Sequence, residues 1–397
     1  MRSSPEDLSD HGRLRDILLG LFAGHALLPV PDVTPEGWMQ IARMAAQHRL
    51  QPWLHHKHRD NPAIPADIRA KWKAAFRSSA IFALQVAREL AAANALLKNA
   101  GFAPLALKGA WLAWHAYPHP ALRPMRDIDL LLTPDTVVAA FELLRANGYV
   151  QWGDTQIPID NAVLIDKHLA PLVSPGGVMI ELHHRMWEID GRMDHAAPAA
   201  DERAIRGRAI QSGEIAYVDP QDLLAHLIIH AIYDHRLDCG PLVLTDIALL
   251  LRNQSIDWPR FWHDARAQRW VRGAGLMLAL VQKYVPDANV PVIPSDACVP
   301  PGVVEISASL LLQELETRQS AGFAATITAG GWKALALRML ARRKSSGEST
   351  IARNLTGQGG FANWAGSRIL RTTSELARAN VRHQSLELSR LSRWLDT

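Results

Sequence analysis

Lys108-Gly109-Ala110 and, a short way downstream, Arg126-Asp127-Ile128-Asp129-Leu130-Leu131-Leu132 decide how this chain folds. Side chains on a β-strand alternate with period two, so Asp127 and Asp129 share one face while Ile128 and Leu130 turn into the core. Two carboxylates held that close repel unless a cation lies between them, and a hard divalent ion such as Mg²⁺ takes such oxygens well. Upstream, a glycine-containing turn that opens a helix leaves backbone N–H groups free to hold an anion. An anion cradle followed by a carboxylate pair implies phosphoryl- or nucleotidyl-transfer chemistry.

A third carboxylate extends the pattern. In Val178-Met179-Ile180-Glu181-Leu182-His183-His184 apolar and polar positions alternate, and Gly176-Gly177 marks the turn that starts the strand. Glu181 and His183 share a face, and His184 points the other way. If the two strands are neighbours, Asp127, Asp129 and Glu181 surround a common metal pair. Such a pair activates an incoming oxygen and stabilises a pyrophosphate leaving group.

With these residues in view, the chain resembles the polymerase-β-like nucleotidyltransferase superfamily, and within it the bacterial uncharacterised nucleotidyltransferase family. The likeness rests on Leu107-Lys108-Gly109-Ala110-Trp111-Leu112, Tyr117, Arg123, Arg126 to Leu131, Gly148-Tyr149, His168 and Glu181-Leu182-His183. It continues in Asp219-Pro220-Gln221-Asp222-Leu223-Leu224-Ala225-His226-Leu227 and Thr245-Asp246-Ile247-Ala248-Leu249-Leu250-Leu251, and so spans roughly Trp38 to Val285. The resemblance implies an enzyme that moves an NMP group from an NTP to an acceptor hydroxyl or phosphate and releases pyrophosphate. It implies a two-ion Mg²⁺ site on Asp127, Asp129 and Glu181, and allows a peptide or sugar acceptor. The second turn position is Ala110, where the superfamily usually has Ser or Gly, and the interval from the turn to Asp127 is longer than in the superfamily's better-studied branches. The alternative reading is a non-catalytic nucleotide-binding or scaffold protein that keeps the fold. Gly109-Ala110 and the basic C-terminus favour it; three carboxylates at strand positions oppose it.

The 397 residues are 48% hydrophobic, enough for a large core and two to three domains. Cys239 and Cys298 are the only cysteines, so there is no disulfide framework, and a reducing cytoplasm is the expected location. Met1-Arg2-Ser3-Ser4-Pro5-Glu6-Asp7-Leu8 lacks the apolar segment of a signal peptide. No uncharged apolar run approaches the roughly 20 residues that span a bilayer, so no transmembrane segment is expected. The net charge of +4 is unevenly spread. Residues 331–397 carry twelve Lys and Arg against four Asp and Glu, and positions 1–330 hold the remaining 31 and 35. A basic tail on a mildly acidic body offers a surface for an acidic partner, or is a solvated extension.

The expected architecture is α+β: a small mixed β-sheet nucleotidyltransferase core flanked by N- and C-terminal helical regions. Residues 1–100 read as helical; Ile68, Trp72, Phe76, Ala83, Val86, Leu90 and Leu97 mark a long helix that ends near Gly101. A core at 101–217 opens with the strand Pro104–Leu107 and the helix Trp111–Tyr117, and holds an amphipathic helix Pro134–Asn147 stopped by Gly148. A helical substrate-side domain at 218–330 starts with Asp219 as N-cap and Pro220 at the first helical position. A basic helical tail at 331–397 follows, broken by Ser345-Ser346-Gly347 and Gly357-Gln358-Gly359-Gly360.

Among the other polar residues, Lys108 stands directly before the glycine and is placed for the β- and γ-phosphates. Arg123 and Arg126 flank Pro124 and offer planar guanidinium forks to a triphosphate; for Arg123 a neutralising surface role competes. Gly109 and Ala110 supply the cradle. His168 and His183 are candidates for the substrate side. His226 and His230 share a helix face at the i, i+4 spacing of zinc sites, but Leu227 stands where His-Glu-x-x-His needs its Glu, so a cleft-lining role is favoured. Asp246 reads as a buried acid that holds an arginine in the core rather than as a general base. Of the 13 tryptophans, Trp72, Trp111 and Trp114 fall on apolar helix faces and read as core. No reader for a particular nucleobase is visible.

Overall fold

In the computed structural model, residues 5–24, 33–153, 159, 167–187, 201–328, 374–376 and 378–396 are described. The glycine and serine breaks expected at 345–347 and 357–360 lie outside them, as does most of the basic tail.

The N-terminal quarter is helical, as its apolar spacing requires: α1 (Pro5–Ala23), α2 (Pro35–Gln47), α3 (Gln51–His58) and α4 (Ala66–Asn99). Thr34 caps α2 by accepting a hydrogen bond from the Gly37 N–H at 3.1 Å, and Pro35 occupies the first helical position. The 34-residue α4 buries Ile68, Trp72, Ala83, Val86, Leu90, Ala93 and Leu97 along one stripe. Gly101, at φ 87°, reverses the chain where its helix ends. By length and composition α4 is apolar enough to cross a membrane, the one such helix among the described residues. In this fold its apolar stripe is spent on the protein core.

A seven-stranded mixed sheet follows, in the order β3-β4-β5-β2-β1-β7-β6. Its strands are β1 (Leu105–Ala106), β2 (Asp127–Leu131), β3 (Val150–Gln151), β4 (Leu172–Val173), β5 (Met179–His183), β6 (Ile210–Ser212) and β7 (Ile215–Tyr217). The central pair β2 and β5 run parallel, and β1 runs antiparallel to β2. Parallel neighbours need a crossover, and the chain between β2 and β5 contains α6 (Val137–Ala146) and the antiparallel pair β3–β4. The β4–β5 turn closes through Gly177 at φ 79°, with its N–H on the Ser174 carbonyl at 2.8 Å. A Cβ at Gly176 would stand 2.1 Å from Glu89 Oε1 on α4, so that carboxylate would have to move. Gln85 on α4 donates to the Gly176 carbonyl, which ties the long helix to the turn before the strand that carries Glu181.

The second half returns to helix: α7 (Glu202–Gly207), α8 (Pro220–Ile229), α9 (Leu242–Asn253), α10 (Trp258–Ala267), α11 (Val271–Tyr284), α12 (Pro301–Leu310) and α13 (Ala379–Asp396). Asp219 caps α8, accepting from the Gln221 N–H at 2.9 Å ahead of Pro220, as its sequence predicts. A contiguous cluster of buried apolar side chains runs from Leu14 to Leu395 and takes in every one of these regions.

Several expectations change. The helix expected at Pro134 starts at Val137, because Thr133 and Thr136 bond to each other at 2.7 Å and form a turn first. Trp114 is 39% exposed and does not join Trp72 and Trp111 in the core. The C-terminal segment is not wholly a solvated extension: α13 buries Val381, Leu388, Leu391 and Leu395. Arg272 on α11 donates to the Trp394 carbonyl at 2.6 Å and lies over its indole ring.

Candidate active site

The ladder between β2 and β5 sets Asp129 opposite Glu181 and Leu131 opposite His183. Paired residues on neighbouring strands project from the same face, so the two-residue period gathers Asp127, Asp129, Glu181 and His183 on one side of the sheet. Lys108 arrives over them from the turn between β1 and α5 (Gly109–His115). Its backbone is held at φ 43°, a left-handed conformation that is costly for a side-chain-bearing residue and common where function fixes the chain.

The contacts are close. Lys108 Nζ donates to Asp129 Oδ1 at 3.2 Å, and His183 Nε2 meets the same oxygen at 2.8 Å. His183 Nε2 also lies 3.5 Å from Glu181 Oε2. One ligand atom from each of Asp129, Glu181 and His183 falls within 4.8 Å of the others, and no other such group of three occurs among the described residues. Asp127 stands outside this tight group, although it shares the face. Asp129 is 4% exposed and His183 fully buried, whereas Glu181 retains 19% exposure and forms the open side.

Charge in this confined space is unequally compensated. Burial works against the Asp129 carboxylate, but Lys108 and the His183 hydrogen bond outweigh it and hold its pKa well below the usual range. Burial likewise opposes the Lys108 ammonium, and Asp129, Asp127 and Glu181 together still raise its pKa. His183 behaves similarly: burial disfavours its cation, yet the bonds to Asp129 and Glu181 lift its pKa above the ordinary value. Asp127 is the exception. Burial and then the Asp129 charge push it up to about 6, against the weaker pull of Lys108. It accepts no hydrogen bond among the described residues.

The cradle is narrower than Gly109-Ala110 suggests. The Ala110 N–H is spent on the Leu107 carbonyl at 3.2 Å, so Ala110 contributes no free amide. Gly109 is a glycine for a packing reason as well: a Cβ there would lie 2.5 Å from Arg123 Nη1. Arg123 itself does not reach toward a triphosphate. Its Nε and Nη2 donate to Asp246 Oδ1 and Oδ2, both at 3.0 Å, and the Tyr117 hydroxyl donates to Oδ1 at 2.8 Å. This buried triad ties α9 to the segment before β2, which is the arginine-holding role expected of Asp246, and it removes Arg123 from the phosphate clamp. Arg126 remains exposed and forms no ion pair among the described residues.

The histidines form a second layer. His168 makes an isolated bridge with His183, their rings 5.1 Å apart. On α8 and just past it, His226 and His230 meet at 5.9 Å in a T-shape, and His230 lies 4.2 Å from His235. Burial, followed by the charges of Lys108 and others, drives His226 and His230 well below the usual imidazole pKa. They are neutral side chains that stack on Trp187, on each other and on His235, and neither belongs to a group of three ligands among the described residues. Two features carried no signal in the sequence: Lys167 pairs with Asp234 just past α8, and Arg49, from the N-terminal helices, reaches the Pro124 carbonyl ahead of β2.

Comparison with known families agrees with this geometry. The model of an uncharacterised nucleotidyltransferase family matches residues 34–286, which covers the sheet, α2 to α11 and every group above. The chain belongs to this uncharacterised nucleotidyltransferase family. It is a nucleotidyltransferase, with an α+β fold built on a mixed sheet. The matched span begins at Thr34, the cap of α2, so the N-terminal helices that carry Arg49 belong to the family unit. No curated protein and no solved structure matches the chain.

Proposed function

We propose that this nucleotidyltransferase moves an NMP group from an NTP to an acceptor hydroxyl or phosphate in a Mg²⁺-dependent reaction. The observation that carries the reading is the register Asp129↔Glu181 on adjacent parallel strands, with Lys108 and His183 converging on Asp129. The residues fit a divalent cation. Two carboxylates and an imidazole offer ligand atoms within 4.8 Å of one another, and Asp127 adds a carboxylate whose negative charge has no hydrogen-bonded partner. When bound, the metal neutralises the polyphosphate and favours ionisation of the attacking oxygen.

The chain's own residues account for the remainder. Asp127, Asp129 and Glu181 would hold the cation, and a neutral His183 would offer Nε2 as a further ligand. Glu181, on the open side, is placed to take the proton of the acceptor. The acceptor oxygen forms a bond to the α-phosphorus, the bond from that phosphorus to the β-bridging oxygen breaks, and pyrophosphate leaves with the electron pair. The acceptor's proton goes to Glu181 and then to solvent. Lys108 stabilises charge at the phosphates, sharing its ammonium with Asp129. The resemblance allows a peptide, a sugar or a small molecule as the acceptor.

The test is incubation with each α-labelled NTP, Mg²⁺ and a cell extract, scored by transfer of label and release of pyrophosphate. Label should move to an acceptor with the native protein and not with Asp127→Asn/Asp129→Asn. Transfer of equal size with the double variant sinks the assignment, as does failure of any NTP to bind in the presence of Mg²⁺.

A further inference from the structure

Arg49 closes α2 in an unusual way. Its φ is 56°, a conformation glycine adopts without cost and arginine does not, and its backbone N–H donates to the Ala46 carbonyl at 3.0 Å. That turn swings the side chain back toward the sheet, where Nη1 donates to the Pro124 carbonyl at 3.2 Å. The guanidinium is therefore anchored against the segment Pro124–Asp127 that feeds β2, two residues from Arg126.

Three arginines lie at this corner, and of them only Arg123 forms an ion pair among the described residues. Arg123 is saturated by Asp246 in a bidentate pair. Neither Arg49 nor Arg126 forms an ion pair among the described residues. Burial and then the charges of Arg126 and Arg123 lower the Arg49 pKa to about 10, with Asp127 the first of the groups acting the other way. Packing a half-buried arginine beside like charges is unfavourable unless an anion completes the arrangement. Asp127 is the nearby carboxylate that acts on Arg49, and an anion reaching both guanidinium groups would lie next to it, at the rim of the carboxylate site.

We propose that Arg49 and Arg126 form the clamp for the β- and γ-phosphates of the NTP, the part that Arg123 does not play. This rests on the nucleotidyl-transfer reading above and adds the residues that select a triphosphate over a monophosphate. With the α-phosphorus at Asp127, Asp129 and Glu181, the remaining phosphates extend toward the end of β2 at which Arg126 and Pro124 lie. Planar guanidinium groups hold phosphate oxygens in pairs, which a lysine does not reproduce. Asp127 between metal and clamp then faces cations on both sides.

The experiment is calorimetric titration of the full-length protein, with Mg²⁺ present, using inorganic tripolyphosphate, NTP and NMP. Arg126→Gln, at an exposed site, and Arg49→Gln should each weaken tripolyphosphate and NTP binding roughly tenfold, the scale of one charge-assisted hydrogen-bond pair, with NMP binding within about twofold of native. Arg49→Lys should recover part of the loss for Arg49. Thermal unfolding of each variant separates lost binding from lost fold; where Arg49→Gln unfolds, Arg126→Gln decides. Native affinity for tripolyphosphate in Arg126→Gln overturns the clamp, and so does a native protein that does not bind tripolyphosphate. Arginine-dependent tripolyphosphate binding without NTP turnover keeps the clamp and rejects nucleotidyl transfer. NTP turnover and binding that ignore both arginines do the reverse.

Discussion

Asp127→Asn should stabilise the metal-free protein at neutral pH. The carboxyl is largely buried two residues from Asp129, and no described donor bonds to it. Burial and the Asp129 charge raise its pKa from an ordinary 3.8 to about 6. That difference of roughly 2 units, at about 1.4 kcal/mol each, makes the ionised side chain up to about 3 kcal/mol unfavourable in the folded state. Local relaxation leaves an expected gain of about 1–3 kcal/mol for the asparagine. The pH dependence carries the sign. An unfolded Asp127 loses its proton near 3.8 and the folded one near 6, so in that window the native state binds more protons and stability falls as pH rises. Above about 6 the loss is complete. The asparagine variant has no such loss, so its advantage should be near zero at pH 4 and full by pH 7. Urea unfolding in EDTA at pH 4, 5.5 and 7 measures it. Added Mg²⁺ should then reverse the order, stabilising the native protein more than the variant. A variant no more stable than native at pH 7 in EDTA refutes the reasoning. A gain of equal size at pH 4 refutes it too, because it would arise from packing rather than charge.

Asp246→Ala strands a buried guanidinium and the Tyr117 hydroxyl, and should cost about 3–5 kcal/mol by urea unfolding; Arg123→Met added to it should recover part of the loss. His48, 3% exposed and lowered by burial to about 4, stays neutral in the fold while the unfolded chain protonates near 6.5. Stability should therefore drop by up to about 3 kcal/mol between pH 6.5 and 4, and His48→Gln should flatten that slope in a pH series of melts. Lys108→Ala removes the cation that occupies Asp129 Oδ1, so it should strengthen Mn²⁺ binding to the nucleotide-free protein while weakening NTP binding; loss of both would make Lys108 a structural residue. Truncation before Ser374 uncovers the sites against which Val381, Leu388, Leu391 and Leu395 pack. At about 1.5–3 kcal/mol per apolar side chain it should lower stability by several kcal/mol, seen as a fall in Tm.

The parts legible in the sequence are those fixed by local periodicity. Alternation in Asp127–Leu131 and in Met179–His183 sets which side chains face the site, and needs no knowledge of the neighbouring strand. Asp219-Pro220 states its helix start outright, and Gly101 and Gly148 mark helix ends. What escaped notice depends on partners far along the chain. Arg123 meets Asp246 across 123 positions, and each alone is compatible with a phosphate or catalytic role. Strands β6 and β7 are three residues each, too short for an alternating pattern to register. In the tail the signal was present but outweighed: Val381, Leu388, Leu391 and Leu395 recur at helical spacing, while the excess of arginine suggests a solvated segment. Arg49 gave no sign at all, since its importance comes from a backbone reversal that a non-glycine residue does not announce.

Asp127 and the arginines Arg49 and Arg126 lie near each other without a direct ion pair among the described residues, and this narrows what belongs between them. Asp129 is satisfied by Lys108 and His183, and Arg123 by Asp246, so these pairs hold the structure in any ligand state. Asp127 is not satisfied, and the shift of its carboxyl toward neutrality favours a cation. Arg49 is not satisfied either, and the lowering of its guanidinium pKa favours an anion. A lone metal ion corrects the first and worsens the second, because it adds positive charge beside two arginines. A lone polyphosphate corrects the second and worsens the first. A divalent cation carried on a triphosphate supplies both signs in the order in which the residues stand, cation over the carboxylates and phosphates toward the arginines. Metal and nucleotide should accordingly bind with positive coupling, each tightening the other, and the coupling should shrink in Asp127→Asn and in Arg49→Gln alike.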